Sequence, residues 1–382
     1  MKRLLSTLAL LSAITIAVAA AETYQGYYQK ARQEAHQGNV KGARATLQQA
    51  LTVAQTDAQK SKVLLDIAQL DKKEKNNLQA RQAWLQVVAL QGAPKENKQV
   101  ALFALGGSYL DEDNFVQARQ YLSQVVADKS ANQFLQESSQ LGIVSSFHGQ
   151  RQYEEARQEA RKVVDNPNAT LTSRLIAQQQ IAETYVSQNQ LPQARAELTQ
   201  AEQLVSSLPI QQAAVRLRIV RLYAQENNAE EALKSLNSFG SMMTLRAKKA
   251  LDKKDYATAR ESFSAILALR NGYDAKGSNR SPQTIGLLLV IGQMYQFEGN
   301  YPKAKEMYYS VVAVNPEANG ISKEDAVTIR TLQQSARLDI ARALVSQGNS
   351  AEAKKAYVAL LNTPDLYPAY KKGAEGDLAK LK

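Results

Sequence analysis

The sequence has no cysteine and only two histidines in 382 residues. The absence of cysteine excludes disulfides, thiolate metal sites and cysteine nucleophiles. His36 and His148 lie far apart in the chain, and neither belongs to a closely spaced histidine pair of the kind that holds zinc. The sequence also contains no Walker loop, no G-x-S-x-G nucleophile motif and no G-x-G-x-x-G turn. We therefore predict no metal, no cofactor and no enzymatic activity.

Proline and glycine are scarce, with 9 and 18 occurrences, whereas alanine and glutamine are abundant. Alanine and glutamine favour helices, while strands favour β-branched and aromatic residues. Hydrophobic residues make up 44% of the chain, so there is enough apolar surface for a buried core. The composition predicts an all-α protein.

Long apolar runs are missing except at the beginning of the sequence. Lys2 and Arg3 precede an apolar stretch over residues 4–18, which ends in small residues at 17–21. This order is typical of a secretory signal peptide, here residues 1–21, with cleavage between Ala19 and Glu22. An uncleaved anchor is the alternative, but the run is short for a membrane span. We expect an exported chain, most simply periplasmic, with no transmembrane segment after cleavage.

The chain has a formal net charge of +11, which is unevenly distributed. Residues 22–240 carry 24 basic and 22 acidic residues, whereas residues 241–382 carry 21 and 14. The basic residues are dispersed and form no aromatic–basic motif of the RNA-binding kinds, so we predict no nucleic-acid partner. The excess of basic residues in the carboxy-terminal half makes an anionic glycan an alternative partner.

An internal repeat organises almost all of the remaining chain. The segment GNYPKAKEMYYSVVAVNP, residues 299–316, contains an alanine, Ala304, that recurs in a similar frame elsewhere. Successive separations of these anchor alanines are 37, 38, 38, 38, 38, 27, 45 and 49 residues. The nine anchors are Ala43, Ala80, Ala118, Ala156, Ala194, Ala232, Ala259, Ala304 and Ala353. Such regularity predicts an array of similar units.

Each anchor sits in a pattern of helical spacing. Bulky apolar residues usually follow four and seven residues later, as Tyr308 and Val311 follow Ala304. A small residue often lies twelve residues before the anchor, and an aromatic three residues after that, as Gly292 and Tyr295 do. Positions 0, +4 and +7 share one helical face. Each unit is therefore predicted to be a helix, a tight turn and a second helix, brought close together by the small residues.

The pattern resembles the tetratricopeptide repeat (TPR). Together with the predicted signal peptide, this resemblance implies an exported bacterial member of the TPR family. The match is best over these residues: Leu288, Gly292, Tyr295, Gly299, Asn300, Tyr301, Ala304, Tyr308, Val311 and Pro316. The resemblance implies an α-solenoid, a TPR-like superhelix of about nine helix–turn–helix repeats. The 38-residue spacing exceeds the usual period of about 34 and predicts longer helices or linkers.

The repeats divide the chain as follows. Repeats one to six are expected over 22–240 and repeats seven to nine over 241–364, with insertions at about 270–284 and 315–333. The short step to Ala259 predicts a trimmed helix pair, and the second insertion is expected to extend a helix from Ser322. A capping helix or tail is expected over 365–382, with its helix at about Leu366 to Lys380.

By the same resemblance, the first helix of each pair lines a concave groove that binds a protein partner. The candidate binding residues are polar side chains near eleven or eight residues before the anchors: Arg32, Gln69, Lys72, Glu183, Arg221, Gln225, Lys248, Gln293, Gln296 and Arg342. They suit hydrogen bonding to an extended peptide or a glycan, and plain solvent exposure is the alternative. The carboxylate-binding clamp of some family members is not expected, because no asparagine occupies the matching position.

A basic residue directly follows most anchors, as Arg44, Arg81, Arg119, Arg157, Arg195, Arg260, Lys305 and Lys354. One interpretation is a cationic ladder for an anionic polymer. The favoured interpretation is that the side-chain stems cover the neighbouring helix and the charges pair with acids such as Glu154, Glu155 or Glu261.

These features predict a periplasmic scaffold or adaptor. It would hold a protein of the cell envelope in an assembly, secretion or polysaccharide-export system. The alternative is a binding protein for an anionic polysaccharide or envelope polymer, acting through the basic carboxy-terminal half.

Overall fold

The protein is helical throughout the part of the chain that its computed structural model describes, residues 23–273 and 281–381, which contains no strand. The helices are α1 (Tyr24–His36), α2 (Val40–Val53), α3 (Asp57–Lys73), α4 (Asn77–Ala89), α5 (Lys95–Leu110), α6 (Phe115–Ala127), α7 (Gln133–Gly149), α8 (Tyr153–Val164), α9 (Leu171–Ser187), α10 (Leu191–Leu204), α11 (Pro209–Gln225), α12 (Ala229–Leu251), α13 (Tyr256–Tyr273), α14 (Pro282–Phe297), α15 (Tyr301–Val312), α16 (Lys323–Ser346), α17 (Ser350–Leu361) and α18 (Pro368–Ala379). The predicted signal peptide, and residues 274–280 of the first predicted insertion, lie outside the described residues. Among the described helices, none combines the length and apolar character needed to cross a membrane.

The described helices belong to two compact units, α1 to α9 and α10 to α18. In the first unit, α1 packs on α2, α3 on α4, α5 on α6 and α7 on α8, while α9 packs on α8, and α3, α5, α7 and α9 also contact each other in sequence order. In the second unit, α14 packs on α15 and α16, and α16 on α17 and α18. Packing between sequence neighbours is the arrangement of an α-solenoid, so the predicted fold class is confirmed in each unit.

The anchor alanines explain how the two helices of a pair approach so closely. All nine are completely inaccessible to solvent. Glycine serves the same purpose on the facing helix, because a Cβ atom built on Gly292 would lie 2.5 Å from Cε1 of Tyr308. Small side chains at both positions therefore let the larger residue four positions after the anchor reach the core.

Every turn between paired helices uses the same backbone geometry. The residue five positions before each of the nine anchors has a positive φ, between 57° and 80°. In most repeats the next N–H then bonds back into the first helix, as Asn300 N does to Tyr295 O at 2.8 Å, which is a Schellman-type ending. Only three of these nine residues are glycine, namely Gly38, Gly299 and Gly348. At the other positions, such as Lys75 and Arg151, the left-handed conformation costs about 1–2 kcal/mol.

The step of 27 residues between Ala232 and Ala259 has a different explanation from the expected trimmed pair. The second helix of repeat six and the first helix of repeat seven are one helix of 23 residues, α12. The predicted domain boundary between 240 and 241 therefore falls inside a helix. Gly240 lies within this helix, and no proline or turn sequence separates its two halves, so nothing ends it before Leu251.

The second predicted insertion is a connection followed by an extended helix. Residues 313–322 join α15 to α16, and the hydroxyl of Ser322 accepts a hydrogen bond from Asp325 N at 3.0 Å. Serine at this position satisfies a free N–H of the first turn, which is why the 24-residue helix α16 begins at Lys323. The last helix, α18, lies within the expected range.

Candidate functional site

The predicted groove residues all lie in the first helices of their repeats, but their environments differ. Those that are exposed to solvent are Arg32, Gln69, Lys72, Glu183, Arg221, Gln225 and Lys248. Those that are half-buried are Gln293, Gln296 and Arg342.

In the first unit, three of the four predicted residues share two pockets. Arg32 and Gln69 line a cavity of about 300 Å³ between α1, α2 and α3. Gln69 and Lys72 line a second cavity of about 460 Å³ that also contacts Trp84 and Val100. The structure therefore brings these three side chains together on α1 and α3, whereas Glu183 on α9 lines neither cavity.

In the second unit, Lys248 and Arg221 have different surroundings: Lys248 lines a cavity, and Arg221 contacts the end of a helix. Lys248 lines a cavity of about 650 Å³ together with Leu245, Ile266 and Arg270. The guanidinium of Arg221 donates to the carbonyl of Gly272 at 3.1 Å, so it contacts the end of α13.

The three half-buried candidates form hydrogen bonds to other side chains of the second unit. Gln293 Nε2 donates to Asp339 at 3.0 Å, and Gln296 Oε1 accepts from the hydroxyl of Tyr308 at 2.8 Å. Arg342 Nε donates to Asp377 at 2.8 Å. These bonds join α14 to α15 and α16, and α16 to α18. The three side chains hold helices together in this structure and do not stand free for a partner.

Asp339 is the most deeply buried acid of this network. Burial raises the pKa of its carboxyl, while hydrogen bonding from Gln293 and the charge of Arg342 act in the opposite direction. Because the folded pKa lies above the unfolded value of about 3.9, the folded state holds this proton more tightly. The stabilisation that Asp339 contributes is therefore complete below the unfolded pKa and is lost as the pH rises through the folded pKa.

Replacing Asp339 with asparagine should reduce the pH dependence of stability. We expect the wild-type free energy of unfolding to decrease more between acidic and neutral pH than that of Asp339→Asn, because only the wild type has to ionise this buried group. Urea unfolding of both proteins across this pH range measures the difference. The exposed residue Asp365, changed to asparagine, is the control. If the free energies of unfolding of wild type and Asp339→Asn changed equally with pH, the raised pKa of Asp339 would be contradicted.

The basic residues after the anchors form a repeated contact with the next unit. The guanidinium carbons of Arg81, Arg119, Arg157, Arg195 and Arg260 lie between 4.3 and 5.1 Å from the ring centroids of Tyr109, Phe147, Tyr185, Tyr223 and Tyr295, respectively. Each ring belongs to the first helix of the following repeat. The aromatic is therefore a stacking surface for the arginine of the preceding repeat, in addition to filling its own hairpin.

Four of these five arginines also pair with acids, as the favoured interpretation predicted, whereas Arg119 donates to Ser146 Oγ at 3.2 Å. Arg81 lies 2.6 Å from Glu112, and Arg157 lies 2.8 Å from Glu154. The predicted partner Glu261 is wrong, because Arg260 pairs with Glu298 of the next repeat at 3.1 Å. The constant interval of 28 residues between arginine and ring in four consecutive pairs was the sequence signal for this contact.

Arg157 offers a direct measurement of this contact. Its guanidinium also donates to Thr184 Oγ1 at 3.0 Å and to Gln188 Oε1 at 2.7 Å. A double-mutant cycle of Arg157→Ala and Tyr185→Leu should give a coupling energy of about 0.5–2 kcal/mol, since the stacked cation is partly desolvated. Arg157→Lys keeps the charge and should lose most of the coupling. Denaturant unfolding measures the free energies. If the losses of the two single variants add up to the loss of the double variant, the ring and the guanidinium do not interact.

The described residues contain no group of three or more histidine, cysteine, aspartate or glutamate side chains placed to hold a metal ion. The three cavities that contain predicted groove residues are lined by apolar, amide, hydroxyl and basic side chains and by Asp66, which suit binding by contact and hydrogen bonding.

The chain was compared with known proteins. No protein-family model matches it, and no curated protein matches it either. A tetratricopeptide repeat protein from Parabacteroides merdae is 11% identical, with 82% of this chain matched to 98% of that one at a TM-score of 0.44. The apo form of RapI is 12% identical, with 84% matched to 99% at a TM-score of 0.41. The TPR2AB domain of yeast Sti1, solved in complex with pHSP90, is 11% identical, with 74% matched to 96% at a TM-score of 0.30. At these scores the neighbours say nothing about what this chain binds.

Proposed function

We propose that the chain is a protein-interaction scaffold that holds a partner on the exposed face of α1 and α3. The observation that carries this proposal is the pair of neighbouring cavities that share Gln69. Polar side chains stand at their rims, and Leu70, Trp84 and Val100 supply apolar walls. Apolar pockets with a few polar groups beside them are suited to receiving side chains of another protein.

The packing of the repeats supports this choice of surface. The anchor face of each helix pair is buried in the core. The arginines after the anchors, such as Arg81 and Arg157, stack on aromatic rings of the next repeat. Gln69 and Lys72 remain exposed on one helix, a turn apart. Amide and ammonium groups at this spacing can hydrogen-bond the backbone of an extended segment.

The setting that we propose is the bacterial periplasm, in an envelope assembly, secretion or polysaccharide-export system. The support is the signal-peptide pattern of residues 1–21. Fractionation of cells that express the full chain tests this part separately, since a chain recovered in the cytoplasm would overturn the location and leave the binding surface intact.

Site-specific photocrosslinking tests the binding surface. A photoreactive phenylalanine at Gln69 or Lys72 should give a discrete crosslinked protein species in cells. The matched control is Gln82, which is exposed on α4, the second helix of the same repeat. We expect strong crosslinking at the first two positions and little at the third. Equal or absent crosslinking at all three positions would reject this face as the interaction surface.

The second candidate is an anionic polysaccharide or envelope polymer, bound through the basic carboxy-terminal half. The observation in its favour is the cavity lined by Lys248 and Arg270. Retention on an anionic polysaccharide matrix should then weaken with salt and with Lys248→Gln and Arg270→Gln together. Arg342 is not suited to this test, because its pairing with Asp377 supports the fold.

A further inference from the structure

The cavity between α1, α2 and α3 is also suited to a small molecule that binds without a protein partner. Its volume is about 300 Å³, and its walls include the buried side chains of Ala31 and Leu47 and the half-buried side chains of Val40 and Leu70. This volume is at the lower end for small-molecule sites, where apolar walls remove the body of a ligand from water. The interior is therefore suited to a short aliphatic group.

The rim of the cavity carries hydrogen-bond donors. Arg32, His36, Gln69 and Lys73 line it and are exposed. Arg32 and Lys73 have no carboxylate partner among the residues that the structure describes, unlike Arg81 and Arg157. A planar guanidinium donates two parallel hydrogen bonds to a carboxylate, and an ammonium adds a point charge.

The lining contains a single acid, Asp66, and its position limits the charge of the ligand. Asp66 Oδ2 accepts a hydrogen bond from the hydroxyl of Tyr28 at 2.6 Å. The fixed charges of the lining are therefore two positive, on Arg32 and Lys73, and one negative. The remaining charge of +1 matches a monoanion, whereas a doubly charged phosphate would leave one negative charge without a counterpart.

We propose that this cavity is a binding site for a small aliphatic monocarboxylate. The carboxylate lies between Arg32 and Lys73, with Gln69 as a further donor, and the alkyl chain lies against Leu47 and Leu70. This site goes beyond the proposed scaffold function, since the purified chain should bind the ligand without any protein partner.

Titration with hexanoate, followed by methyl NMR of the purified chain, tests the proposal. We expect saturable shifts at the methyl groups of Val40, Leu47 and Leu70. Across butyrate, pentanoate and hexanoate, affinity should rise by up to about fourfold for each methylene that becomes buried. Hexanol, which has the same number of carbon atoms and no charge, should bind at least tenfold more weakly. Equal binding of hexanol, or shifts that map elsewhere, would overturn the proposal.

Three variants separate the charge from the cavity. Arg32→Gln and Lys73→Gln should each weaken hexanoate at least tenfold, and both residues are exposed, so the fold should persist. Ala35→Leu fills the cavity and leaves its charges in place, and it should abolish the methyl shifts. The control removes two exposed cations from α18, Lys371→Gln with Lys372→Gln, and should bind like the wild type. Unchanged affinity in Arg32→Gln and Lys73→Gln would reject the site, and it would leave the photocrosslinking result untouched.

Discussion

Replacing Tyr308 with alanine should lower the free energy of unfolding by about 3–5 kcal/mol, as for other large aromatic residues removed from a core. Tyr308 is completely buried in α15 and lies in a cluster with Ile285, Ile329 and Tyr357. The change removes the ring from this cluster and leaves a cavity that the facing helix cannot close. Urea or guanidinium unfolding measures the loss.

The neighbouring residue provides the matched control. Tyr309 lies on the same helix with 56% of its surface exposed, so Tyr309→Ala should change stability by about 0.5 kcal/mol or less. Tyr308→Phe keeps the ring and removes only the hydrogen bond to Gln296, which should cost about 0.5–1.5 kcal/mol. Similar losses for Tyr308→Ala and Tyr309→Ala would contradict the buried position of Tyr308.

The sequence was sufficient to locate the close packing, because that packing depends on side-chain size at a fixed interval. Gly292 is small because a Cβ atom there would lie 2.5 Å from Cε1 of Tyr308, and Ala304 lies completely buried on the helix that carries Tyr308. The positions of the anchors and the helix beginning after Ser322 could be predicted in the same way, from residues that act locally.

The groove could be predicted only in part, because exposure depends on distant residues. Gln293 resembles Gln69 in its position within the repeat, yet it donates to Asp339, which lies 46 residues later. Arg342 resembles Arg32, yet α18 brings Asp377 beside it. The repeat pattern of Gln293 and Arg342 contains no information about these partners, because the partners lie outside the repeat that contains each residue.

The merged helix α12 and the turns between paired helices show a second limit to what the sequence predicts. A continuous helix forms wherever no residue ends it, so a boundary inferred from the spacing of Ala232 and Ala259 had no local stop signal to support it. Conversely, Lys75 and Arg151 adopt left-handed conformations that their own preferences oppose. The packing of the paired helices enforces these turns.

Replacing Ala353 with leucine should lower the free energy of unfolding by about 1–3 kcal/mol through overpacking. Ala353 in α17 and Ala341 in α16 are both completely buried in one cluster, so added methyl groups have no free space. Leucine and alanine differ little in helix propensity, so the loss should come from packing and not from the helix itself.

The control for this change lies on the other face of the same helix. Ala359 in α17 is exposed, and Ala359→Leu should change stability by about 0.5 kcal/mol or less. The comparison holds the substitution, the helix and the repeat constant, and it varies only whether the methyl group faces α16 or solvent. Equal losses for the two variants would show that Ala353 does not lie at a close helix crossing, and the explanation of the repeated alanine as the determinant of this fold would then fail.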